Sequence, residues 1–266
     1  MYRGFFRVRA DEVPDSMRIA VSGEELAKWP LMHGSWRQSE EIEPIRTAGL
    51  RSANDCGVFT NTDVCNQILG RSDFVYLAPA SLSCQYGAGY HALLIDPGVL
   101  SSETMRCSEC DINYVVECIR ITMSSKLGYC GGNVKEQAKL EQLVRSVTPP
   151  PEHRRPSDEK VLDIMRLPAF REYYDRHFAL PHKQLFRRIE ATGAELGGFS
   201  LFDYFNRNGT WPLHEEIAVP SHVEPCMVLG HWDCGRWIEW RMSPHHETQR
   251  RVDEFVAVME VVRVPR

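Results

Sequence analysis

The ten residues from Thr148 to Ser157 hold four prolines and two arginines, with no apolar residue after Val147. Proline has no backbone N–H and a fixed φ, so neither a helix interior nor a central strand passes through such a segment. It is a loop or linker, and the best candidate for a mobile or inserted boundary.

Upstream of that break, residues 1–31 read as an extended entry, with Gly4 to Ala10 strand-like and Pro14 and Asp15 breaking it. Ser39 then suits an N-cap, Glu40 and Glu41 a first turn, and Gly49 a C′ residue with Leu50 packing back after it. Phe74–Ala78 and His91–Ile95 are short apolar strands, the second ending at an Asp96-Pro97-Gly98 turn. Ile112 to Thr122, rich in Val, Ile and Tyr, reads as a central strand. Asn133 with Glu136 three residues on opens a helix to about Val147.

Downstream, amphipathic helices are expected over Asp158–Phe178 and His182–Glu195, the second stopped by Gly197-Gly198. The last part reads as β: Ile217–Val219, Cys226–Leu229, Trp237–Arg241 and Phe255–Val264, with a hairpin turn at Asp233-Cys234-Gly235. Strands and separated helices in this order give an α+β fold rather than a doubly wound parallel sheet. No Gly-rich fingerprint follows a strand. The expectation is one domain over 1–266, with a helical insertion around 133–198.

With 266 residues, 43% of them hydrophobic and 25% charged, the chain is long enough for a sizeable core. A net charge of -5 argues against a non-specific nucleic-acid coat, although Arg37, Arg46, Arg51 and Arg71 recur in one stretch and His153, Arg154 and Arg155 in another. Their bland reading is solvated surface charge. No apolar run reaches the ~18 residues of a membrane span, and the charged start does not form a signal peptide. Nine cysteines, an odd count at irregular spacing, fit a reducing, cytoplasmic setting.

Three short segments are candidates for chemistry. In Leu31-Met32-His33-Gly34-Ser35 the glycine lets backbone approach a ligand, while the imidazole and Ser35 can hydrogen-bond a ribose or an amide. Within Asp73-Phe74-Val75-Tyr76-Leu77, the tyrosine ring can stack on a flat heteroaromatic. In Trp211-Pro212-Leu213-His214-Glu215-Glu216-Ile217, two carboxylates precede a short strand, and alternation sends one of them to a given face. Taken singly, each has a bland reading: a structural His in a tight turn, a core Tyr, a charged strand start.

Their order changes the weighing. His-Gly-Ser, a helix ending in Gly-Leu-Arg at Arg51, a Val-Tyr-Leu strand, then a Glu opening a strand that ends in Pro resembles the ADP-ribosyltransferase superfamily, in its histidine-tyrosine-glutamate branch. The His33 to Arg51 stretch looks most like poly-ADP-ribose-polymerase catalytic domains. Tyr76 with Ala92-Leu93-Leu94-Ile95-Asp96 is similar to tRNA 2′-phosphotransferases, and the Glu216 strand to DarT-type toxins. The resemblance implies a split, mainly antiparallel β-sheet core with flanking helices, and NAD⁺ as co-substrate with no metal. By it His33 binds a ribose, Tyr76 stacks on nicotinamide, and Glu216 binds the other ribose and stabilises the charge developing as the glycosidic bond breaks. Gly34, Ser35 and Arg51 line the NAD⁺ site. The Gly-rich loop of the polymerase group is reduced here to Gly57-Val58-Phe59-Thr60, so Phe59 or Tyr86 stands as an alternative stacking ring. Glu215 and Glu117 stand as alternative carboxylates.

The implied activity is mono-ADP-ribosylation of a macromolecular acceptor, nucleic acid or protein, by a toxin or effector enzyme, with an antitoxin or inhibitor as partner and no membrane. The alternatives are tRNA 2′-phosphate removal and a non-catalytic module that binds an ADP-ribose-like ligand or a macromolecule. Rival site chemistries are a zinc site at Cys107, Cys110, Cys118 and Cys130, whose spacing matches no standard ribbon, and a Cys84–His91 nucleophile pair without an elbow around it.

Overall fold

A computed structural model describes residues 23–35, 42–57, 63–80, 91–101, 105–108, 116, 119–120, 142, 157–177, 184, 187, 216–233 and 236–261. The fold is α+β. Among the described residues nine strands form a seven-stranded sheet and a two-stranded ribbon. They are β1 (Leu31–Ser35), β2 (Leu50–Arg51), β3 (Phe74–Pro79), β4 (His91–Ile95), β5 (Arg106–Ser108), β6 (Glu216–Pro220), β7 (His222–Val223), β8 (Val228–Asp233) and β9 (Arg236–Glu239). The large sheet runs β5-β6-β3-β1-β4-β8-β9 with every pairing antiparallel, and β2 pairs with β7.

The sheet is divided at its middle. β3 and β6 pair over four positions and β1 and β4 over five, but β1 and β3 pair at only two, Leu31↔Pro79 and Met32↔Ala78. The closed end of this seam is reinforced by Ala80 N–H to the Pro30 carbonyl at 2.9 Å and by Trp29 Nε1–H to the Ala80 carbonyl at 2.7 Å. Beyond Met32 the two strands part.

Among the described residues seven α-helices have defined bounds: α1 (Gly23–Lys28), α2 (Ile42–Ala48), α3 (Ala53–Cys56), α4 (Asp63–Ile68), α5 (Asp158–Arg166), α6 (Pro168–His177) and α7 (His246–Val261). α2 ends as its sequence predicts: Gly49 takes φ +76° and its N–H bonds the Ile45 carbonyl at 2.8 Å. The single helix expected from Asp158 breaks in two at Leu167, held extended because Pro168 follows it.

Among the described residues two hydrophobic clusters result. Leu31, Val75, Leu77, Leu93, Ile217, Val219, Trp232 and Phe255 belong to the core of the sheet. Cys65, Ile119, Ile164, Met165, Phe170 and Tyr174 belong to a second core, built by α4, the 116–120 segment, α5 and α6.

Three expectations are corrected. Residues 23–28 are helical, not part of an extended entry. Where a central strand was expected over Ile112–Thr122, the described residues Val116, Ile119 and Arg120 are helical rather than strand, with Val116 and Ile119, three apart, both buried. Nor is Phe255–Val264 a strand, since α7 runs to Val261. Thr248, Gln249, Arg251, Val252 and Phe255 are buried in it, and the three- and four-residue spacing of 248, 251, 252 and 255 is that of one helix face. β8 and β9 form a hairpin whose last pair is Asp233↔Arg236, at the position of the expected turn, while Cys234 and Gly235 lie outside the described residues. Gln142 is helical, within the helix expected from Asn133, and so are Gln184 and Arg187, within His182–Glu195. Gly4–Ala10, Pro14 and Asp15 lie outside the described residues.

Candidate functional site

The seam between β1 and β3 joins two of the sequence candidates, His33 and Tyr76. Where the strands part, His33 reaches across to β3: its Nδ1 lies 2.8 Å from the Tyr76 carbonyl oxygen. A carbonyl only accepts, so Nδ1 carries the proton of this bond. The imidazole thus spans the opening of the split sheet, half-buried, one residue past the last paired position of β1.

On its other edge Tyr76 is opposite Ala218 of β6. Glu216 opens that strand, two residues before Ala218, with its backbone opposite Ser108 of β5. Sheet order therefore sets the three strands bearing His33, Tyr76 and Glu216 side by side, β1-β3-β6. Gly34 and Ser35 continue β1 opposite Ala92 and His91.

The Tyr76 side chain is tightly held. Its hydroxyl donates to the Arg71 carbonyl and accepts from Arg71 Nε at 3.3 Å. The Arg71 guanidinium carbon stands 4.6 Å from the centre of the Tyr76 ring, within cation–π range. Arg71 also donates from Nη1 to the Tyr174 hydroxyl at 2.5 Å. Arg71 is only 6% exposed, which overturns its reading as solvated surface charge. It links the seam to the helical core, where Tyr174 sits in α6.

Sequence reasoning missed Arg71 and Tyr174 as members of this group. An arginine is expected on the surface unless paired. Its one local signal is its place just after Gly70, which at φ +67° turns the chain from α4 toward β3.

Arg51 is not at the seam. It lies exposed on the β2–β7 ribbon, opposite His222. The His222 imidazole is engaged there, Nε2 lying 2.6 Å from Glu224 Oε1 and Nδ1 3.3 Å from Ser221 Oγ. Ser221, at φ +56°, is the one non-glycine among the described residues in the left-handed region. Two backbone bonds hold it there: its N–H to the Asp73 carbonyl at 2.7 Å, and the Ser52 N–H to its own carbonyl at 2.8 Å.

Phe59, Tyr86, Glu117, Glu215, Cys84, Cys110, Cys118 and Cys130 lie outside the described residues. Of the proposed zinc ligands, Cys107 is placed in β5, opposite Ile217. Among the described residues no group of three or more His, Cys, Asp or Glu gathers, and no helix is long and apolar enough to cross a membrane. Burial pushes the Cys65 thiol pKa up, against the opposing pull of the Arg120 and Arg71 charges, so this sulfur stays in its weakly nucleophilic thiol form.

A half-buried imidazole where two strands part, a clamped aromatic ring on the neighbouring strand and an acidic residue opening the strand after it are groups able to hydrogen-bond a sugar hydroxyl, pack on a flat ring and supply a carboxylate. No protein-family model, no curated protein and no solved structure matches this chain.

Proposed function

We propose that the protein cleaves the nicotinamide–ribose bond of NAD⁺ and transfers ADP-ribose to a macromolecular acceptor, nucleic acid or protein. The observation that carries this reading is the seam: a split antiparallel sheet whose parting strands bear His33 and Tyr76, with the Glu216 strand directly alongside.

In this mechanism NAD⁺ lies along the opening, with a ribose against His33 and the nicotinamide near the Tyr76 ring. Positioning of the two halves of the substrate lowers the entropic part of the barrier. Cleavage of the C1′–N bond leaves its electron pair on the nicotinamide nitrogen and cationic character on the ribose. A carboxylate at Glu216 stabilises that charge and takes the proton of the incoming acceptor.

The test is nicotinamide release by the purified protein, with and without a lysate as acceptor source. Release by the wild type that falls at least about 100-fold in Glu216→Gln, a loss typical of a removed electrostatic stabiliser, is the expected result. Full activity in that variant would falsify the assignment of Glu216. Labelled NAD⁺ then shows whether protein or nucleic acid carries the product.

A further inference from the structure

The group the sequence did not reveal is the buried cation at the seam. Arg71 is held at three points: over the Tyr76 ring at 4.6 Å, by its Nε to the Tyr76 hydroxyl, and by its Nη1 to the Tyr174 hydroxyl. The Tyr76 hydroxyl returns a bond to the Arg71 backbone carbonyl, so ring and guanidinium form one closed unit. A cation at 6% exposure is screened far less than a surface one.

We propose that Arg71 is a positioning residue that acts through Tyr76, disfavouring the cationic pyridinium of bound NAD⁺ and so favouring departure of neutral nicotinamide. This rests on the NAD⁺-cleaving reading above. In the ground state the nicotinamide ring of NAD⁺ carries a positive charge. When the C1′–N bond breaks, its electron pair stays with the ring nitrogen, nicotinamide leaves uncharged, and the positive charge moves to the ribose. An acceptor's lone pair then forms the new bond to C1′, and its proton passes to Glu216 and on to solvent. With water as acceptor, the products are nicotinamide, ADP-ribose and a proton.

A guanidinium fixed against Tyr76 repels the ring before cleavage and ceases to repel it afterwards. That difference raises kcat, because it weakens the ground state more than the transition state. Arg71 also fixes the ring mechanically, and the two contributions move KM in opposite directions when it is removed. Loss of positioning alone raises KM, whereas loss of ground-state repulsion lowers KM along with kcat.

The experiment measures nicotinamide release against NAD⁺ concentration, and inhibition by free neutral nicotinamide, for wild type, Arg71→Met, Arg71→Lys and Tyr174→Phe. In Arg71→Met we expect kcat to fall about tenfold and KM to fall about threefold, while nicotinamide inhibits at an unchanged concentration. Arg71→Lys, which keeps the charge, regains most of kcat. A folded Arg71→Met with kcat unchanged, or with KM raised, overturns the proposal. Should Arg71→Met fail to fold by circular dichroism, Tyr174→Phe decides. It frees one end of the guanidinium, so kcat and KM should fall together by a smaller factor, and no change in either overturns the proposal. Absence of nicotinamide release by wild type sinks the NAD⁺-cleaving reading and this one with it. Release that does not depend on residue 71 sinks this one alone.

Discussion

Replacing His33 by alanine removes the Nδ1–H that the Tyr76 carbonyl accepts at 2.8 Å, and with it the bridge across the open end of the seam. Leaving that carbonyl without its donor costs about 1–3 kcal/mol, less wherever water reaches the half-buried site. His33→Ala is therefore expected to lower the urea midpoint and to weaken NAD⁺ binding at least severalfold. An unchanged affinity in calorimetry would remove the ribose-binding role and leave only the structural one. The sequence made His33 and Tyr76 visible because each interrupts an apolar run with a polar group. It could not reveal Arg71, because its place just after Gly70 does not by itself distinguish a buried arginine from a solvated one. Its burial depends on Tyr174, more than a hundred residues away in the chain.

At the scale of elements, legibility followed how local the deciding contacts were. α2 and its Gly49 stop, β3, β4 and the position of the β8–β9 hairpin were readable because caps, alternation and turn residues are short-range signals. The strand expected over Cys226–Leu229, however, is β8 from Val228 to Asp233, preceded by a 3-10 turn at Pro225–Met227. The Val- and Ile-rich 112–122 segment and the end of α7 misled because β-branched residues favour strands only weakly, and packing overrides them. At α7, Val252 and Phe255 belong to the sheet's core, and Trp232 of β8 meets the Phe255 ring edge-on at 5.9 Å. The α2–β2 junction makes a sharper prediction. A Cβ on Gly49 would come within 2.1 Å of the Val223 carbonyl oxygen, at a φ that L residues rarely adopt. Gly49→Ala should thus destabilise the protein by more than the ~1 kcal/mol of an ordinary left-handed penalty, read as a fall in urea midpoint at constant m-value. A neutral result would mean that the β2–β7 ribbon yields freely.

For the whole molecule, a buried carboxylate joins parts distant in sequence. Asp96, at the end of β4, accepts from Gly98 N–H at 2.7 Å and from Ser243 Oγ at 2.5 Å, and the Ser243 N–H in turn donates to Gln249 in α7. The α+β class was legible from the alternation of strand-like and helical stretches. The second core was only half legible: its α5 and α6 were expected, but their partnership with α4 and the 116–120 segment was not. The sheet itself depends on late residues, since β6 completes β3 and β5, and β8 completes β4. A chain ending before Glu216 should show no cooperative urea transition, and a sharp one would mean that the first half folds alone.

That strand order also has a consequence in time. During synthesis β1, β3, β4 and β5 all leave the ribosome before residue 216, and three of them then lack a neighbour supplied by β6 or β8. At about 5–20 residues per second, the hundred-odd residues between β5 and β6 hold those open edges exposed for on the order of ten seconds. Over that interval the nascent sheet depends on chaperone cover, or on the early helices, to keep other chains from pairing with it.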